Sequence, residues 1–147
     1  MSERTYVEAN DRERDRLRAL VERLAPADLA HNLSDDWTVA DALAHLAFWD
    51  ARALVLAKKL QRGEPNSPAD AEPEDVQWLN DALLQVTRAI PPPEAARLAL
   101  RMAGEVDGVV STLDPSRLWP RDPASHLNPL RAAHRSEHLD DIEAALG

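Results

Sequence analysis

WTVADALAHLAFWD, residues 37–50, is the stretch on which the fold turns. Thr38 with Asp41 three residues on is a capping-box variant and marks a helix start. From there Val39, Leu43, Leu46, Ala53, Leu56 and Leu60 recur at helical spacing until Gly63 and Pro65 stop the pattern. The spacing therefore predicts a long helix opening at Thr38, with His45 about two turns inside it.

The rest of the chain reads the same way. Val7, Leu17, Leu20, Val21 and Leu24 predict an amphipathic helix over residues 3–24, ended by Pro26. Residues 63–73, GEPNSPADAEP, are turn formers and acids and read as a surface loop. A shorter helix is expected over residues 74–90, containing Trp78, Leu79, Leu83, Leu84 and Val86, and Pro91, Pro92 and Pro93 must end it. A third long helix follows over residues 93–113, with a proline in its first turn and with Gly104 and Gly108 expected to allow a close helix crossing. After a proline-rich connection over residues 114–125, Leu127, Leu130, His134, His138, Ile142 and Ala145 fall on one stripe of a final helix. That stripe is expected to face the core. Four long helices with one short accessory helix before the third predict a four-helix bundle, all-α and a single domain over residues 1–147.

Composition agrees with this architecture. Alanine and leucine dominate, whereas the chain holds four glycines, one Phe and one Tyr. There is no cysteine, so any metal must be held by nitrogen and oxygen. Seventeen basic against 26 acidic side chains leave a formal charge of −9, which repels phosphate backbones and anionic membranes. Neither nucleic acid nor a membrane is expected as a partner. The first residues, MSERTYVEAN, lack the apolar core of a signal peptide, and no 18 apolar residues run together, so a cytoplasmic protein is expected.

His134 and His138, four residues apart, stand on one helix face with Cβ atoms roughly 6 Å apart. Two imidazoles so placed can point at one ion, and His45 from a facing helix would complete a three-histidine metal site with open positions. Five histidines placed at random would give some such pair in about one chain in eight, so spacing alone is a weak signal. The bland alternative is a pair of core-edge histidines satisfied by Asp140 or Asp141. Placement on the apolar stripe favours metal, because two adjacent buried imidazoles without a shared partner are costly. His31 and His126 lie near loops and stay outside the site.

The string H-R-S-E-H at residues 134–138 also matches the inverted zinc-protease pattern, with Glu137 as general base. A peptidase of that type needs a large cleft and a distant third carboxylate ligand, so Glu137 is read instead as solvated or near the site. Arg52, Arg131 and Arg135 could hold a substrate carboxylate near the metal, and Asp50 and Asp141 could orient ligand imidazoles. Trp37 and Trp49 read as core and wall residues.

Taken together, residues 37–50 with His45, a long third helix and a last helix carrying H-x-x-E-H-L resemble the DinB-like superfamily, the DinB/YfiT-like metalloenzymes. That family includes the metal-binding domain of mycothiol-dependent maleylpyruvate isomerase. The resemblance covers nearly the whole chain. It implies an up-down-down-up bundle holding a divalent metal, zinc or nickel, on His45, His134 and His138. It further implies activation of a low-molecular-weight thiol such as mycothiol or bacillithiol, or of water, for transfer or hydrolysis on a small molecule, and it admits a homodimer. No counterpart of that isomerase's additional C-terminal domain is expected within residues 1–147, and no segment is assigned to a thiol's sugar or acid groups. The competing expectation is a non-catalytic, dimeric helical bundle that binds a ligand or serves structurally.

Overall fold

A computed structural model describes residues 4–33 and 36–147. Its elements are helical: α1 (Thr5–Arg23), α2 (Pro26–Leu29), α3 (Val39–Gln61), α4 (Val76–Thr87), α5 (Pro92–Val110) and α6 (Ala132–Leu146), with 3₁₀ turns at Pro68–Asp70 and Pro115–Arg117. Among the described residues the β pairing is confined to an isolated bridge between Asn32 and Thr38. None of these helices is long and apolar enough to cross a membrane.

α3 is the helix around which the others gather. It packs most extensively on α5 and also touches α2, α4 and α6, while α1 lies against α5 and α6. Its start is fixed as the sequence predicts: Thr38 Oγ1 accepts from the Asp41 N–H at 3.1 Å, and an Asp41 carboxylate oxygen accepts from the Thr38 N–H at 3.0 Å. The seam with α5 is made of small side chains, with Ala95, Ala99 and Ala103 buried on α5 and Ala53 and Ala57 among those buried on α3. Leu43, Leu46, Leu60, Val106 and Val110 fill the core around them.

Several expected boundaries move. The expected start of α1 at residue 3 lies outside the described residues, and Pro26, expected only to stop α1, also opens α2 as its first residue. α6 starts at Ala132 rather than near Leu127. The physical reason is an Asx turn, in which Asn128 Oδ1 accepts from the Leu130 N–H at 3.0 Å. Buried Asn10 of α1 holds both sides of this turn, donating to the Pro129 carbonyl at 2.8 Å and accepting from the Ala132 N–H at 2.9 Å. Asn10 thus caps α6 from another helix.

Gly104 and Gly108 do not mediate a helix crossing. Both are exposed, and a Cβ at either would meet nothing within 4 Å; the close approach is made by the alanines of the opposite face. Because each glycine sits in a helix interior with room for a methyl group, Gly104→Ala and Gly108→Ala are expected to stabilise the fold by about 0.5–1 kcal/mol each. Chemical denaturation of the two variants checks this.

Candidate metal centre

α3 and α6 bring the three predicted histidines to one point. His134 Nε2 lies 3.1 Å from His45 Nε2 and 3.1 Å from His138 Nε2. Ring centroids stand 4.7–5.0 Å apart with planes inclined by 63–80°, so the rings fan around a common centre rather than stack. Hydrogen bonding does not account for this convergence. A neutral imidazole nitrogen carries one hydrogen or one lone pair, so His134 Nε2 can make a well-aligned hydrogen bond with only one of its two neighbours. Nitrogens about 2.0–2.1 Å from a shared ion, at angles of about 90–110°, would stand about 2.8–3.4 Å apart, a range that includes the observed spacing. The donor set therefore fits a divalent ion.

Electrostatics prepares the same atoms. Burial, and then the neighbouring His138 and His134, push the His45 pKa down to about 3. Burial again leads for His134, followed by His138, Arg131 and Arg135, bringing it to about 4. His138 is lowered by burial, against the opposing pull of Glu137 and Asp141. All three imidazoles are thus neutral near pH 7, the form that coordinates metal. At pH 6, three ordinary histidines would release about two protons on binding an ion. This site is expected to release far fewer, as measured by calorimetry in buffers of differing ionisation enthalpy. Release of two or more would contradict the depressed values.

The chain around the centre forms an aromatic and polar enclosure. Trp37 lies edge-on to His45 at 5.0 Å and parallel to His138 at 6.4 Å. Trp49 donates its indole N–H to Asn80 Oδ1 of α4 at 3.0 Å, which fastens that helix beside the site. In front of the imidazoles lies a cavity of about 520 Å³, whose lining includes Trp37, the three histidines, Gln77, Asn80 and Asp81 of α4, and Glu137 and Asp141 of α6. A second cavity, of about 320 Å³, shares His45, His134 and Asn80 and adds Glu72 and Arg131.

Arg52, Arg135 and Asp50 have other roles than those expected, while Arg131 lines the second cavity and also pairs with Asp50. Arg135 is fully buried, bound to Asp107 through two contacts of 2.7 Å and to Asp50 through two of 3.2 Å. Arg131 donates to the other Asp50 oxygen at 3.1 Å, and Arg14 reaches Asp107 at 2.8 Å. Arg52 donates to the Asp70 carbonyl, away from the histidines. With both its oxygens taken by guanidinium groups, Asp50 orients no imidazole. Asp141 lines the cavity, but no hydrogen bond joins it to a histidine among the described residues. His31 and His126 are exposed and outside the cluster, as expected.

Among the described residues, His45, His134 and His138 form a group able to hold an ion, their ligand atoms all within 4.8 Å of one another. The sequence model of the DinB superfamily matches residues 9–136. The chain belongs to the DinB superfamily. This match spans His45 and His134 and stops two residues short of His138, which joins the group through the geometry of α6. No curated protein matches this DinB-superfamily chain. The missed elements of the site are Asn80 and the Asn10, Arg14 and Asp107 contacts. Asp107 carried a signal, since it falls among the buried apolar positions of α5.

Proposed function

We propose that this chain is a divalent-metal-dependent enzyme in which His45, His134 and His138 hold the ion and the 520 Å³ cavity admits a small-molecule substrate to it. The observation that carries the reading is the convergence of three neutral Nε2 atoms on one point beside that cavity. A divalent ion there, zinc or nickel, would lower the pKa of a thiol or water and so supply a nucleophile at neutral pH. Three imidazole ligands leave coordination positions open, as catalytic rather than structural sites do. Trp37 and Trp49 pack against the His45 ring, and Asn80 offers amide hydrogens to a bound molecule because its oxygen is occupied by Trp49.

The same reading takes the four long helices as the up-down-down-up bundle. It is supported by α1 and α3 each packing on both α5 and α6. It also takes the chain as related to the metal-binding domain of mycothiol-dependent maleylpyruvate isomerase, which makes thiol transfer the first reaction class to assay. The test is consumption of a small electrophile by a low-molecular-weight thiol, with metal-loaded, metal-free and His45→Ala proteins. Turnover that requires the ion and vanishes in the variant supports the proposal. Metal that binds without metal-dependent turnover across thiols and water favours a non-catalytic bundle.

A further inference from the structure

Among the described residues, the cavity in front of the imidazoles is lined by three carboxylates from two helices, Asp81 of α4 and Glu137 and Asp141 of α6, and by no lysine or arginine. Glu137 and Asp141 stand one turn apart, on the same stripe as His134 and His138. Acids elsewhere on α6 are neutralised: Arg16 binds Asp140 at 2.6 Å and Glu143 at 3.0 Å. Glu137 and Asp141, in contrast, make no ion pair with any described residue, and Asp81 accepts only from the uncharged Gln77 amide, at 2.9 Å. The two α6 carboxylates are close enough to the centre for their charges to act on His138. Guanidinium charge acts on His134 instead, from Arg131 and Arg135.

Asp81, Glu137 and Asp141 are each solvent-exposed at the rim of the cavity, and uncompensated charges of one sign around a concave site raise the local concentration of ligands of the opposite sign. The Trp37 ring, parallel to His138, adds an aromatic face, which also attracts cations. The geometry points to a small organic cation, a primary ammonium or guanidinium compound, as the ligand class this cavity selects. Its charged end sits among Asp81, Glu137 and Asp141, and its reacting group is directed at the three imidazoles. Phosphorylated or multiply carboxylated molecules are repelled from the same place. The inference rests on reading the imidazoles as an ion site.

The test uses the full chain loaded with cobalt, whose visible absorption reports a bound thiolate. Three probes of similar size and different charge are titrated: cysteamine (cationic), 2-mercaptoethanol (neutral) and mercaptoacetate (anionic). Each is measured on the wild type, on Asp81→Asn alone, and on the Asp81→Asn, Glu137→Gln, Asp141→Asn variant, with cobalt content and circular dichroism recorded. Comparing proteins for one probe at a time cancels the differing acidities of the thiols. A single charge contact at about 4 Å in water is worth roughly fivefold in affinity. Cysteamine binding is therefore expected to weaken at least tenfold in the triple variant and by a smaller factor in Asp81→Asn. The 2-mercaptoethanol affinity should stay within about twofold and mercaptoacetate should bind more tightly. Equal changes for cysteamine and 2-mercaptoethanol overturn the inference while leaving the metal centre intact. Two ions per chain, or loss of cobalt in the triple variant, would make the carboxylates metal ligands and also overturn it. Absence of cobalt from the wild type, or of a thiolate band with every probe, overturns the metal-centre reading and this inference with it.

Discussion

Arg135→Met is expected to destabilise the fold by about 3 kcal/mol or more, because it leaves buried carboxylates short of their main partner. Arg135 is completely buried, with Asp107 on α5 and Asp50 on α3 on either side of its guanidinium. Those carboxylates are themselves only 3–4% exposed and cannot recover the lost contacts from water. Arg14 and Arg131 remain to offset part of the charge, which places the expected value at the lower end of the range for broken buried pairs. Arg135→Lys is expected to fall short of rescue, since an ammonium cannot reproduce the two-pronged contact with Asp107. Removing the exposed Arg101, 3.9 Å from Glu105, should change stability by less than about 0.5 kcal/mol. Urea unfolding of the three variants checks the set. A loss below about 1 kcal/mol in Arg135→Met would show that the cluster is not the joint between α3, α5 and α6 that its geometry suggests.

The second large effect concerns the ion. Zinc at 100 times its dissociation constant is expected to stabilise the native state by about 2.7 kcal/mol, raising the melting temperature by roughly 8–10 °C for a chain of this size. The gain should be largely absent in His45→Ala. His45 is the ligand that α3 contributes, and without it the ion is held by α6 alone and no longer bridges the two helices. Differential scanning calorimetry with and without zinc, on both proteins, gives the comparison. A zinc-dependent shift of equal size in His45→Ala would remove His45 from the ligand set.

α3 was legible because local signals agree: a capping box at Thr38, a sustained apolar pattern, and glycine and proline beyond the end. The start of α6 was not, because its cap is supplied by Asn10, more than 120 residues away in the chain. The structure brings the three histidines together, but not on the core-facing stripe that the spacing predicts. In the structure the buried stripe of α6 is Ala132, Arg135, Leu139 and Ile142, and His134 and His138 lie at its half-buried edge, where they meet the cavity. The ion cluster departs from the sequence expectation, which directs Arg135 and Arg131 to a substrate and Asp50 to an imidazole rather than to one another. Arg135, Asp50 and Asp107 each fall at core positions of an apolar helical pattern, and such a coincidence on three helices is the signal that a buried network would leave. Cavities and the carboxylates that line one of them depend on how α4 sits beside α6, which no local pattern encodes.

The most direct measurement is metal content by elemental analysis, on untagged protein purified without chelator, comparing the wild type with the His134→Ala, His138→Ala double variant. Close to one divalent ion per chain in the wild type, lost in the variant, is the predicted result. Wild-type protein that is free of metal and cannot be reconstituted, or a double variant that keeps its ion, would contradict it.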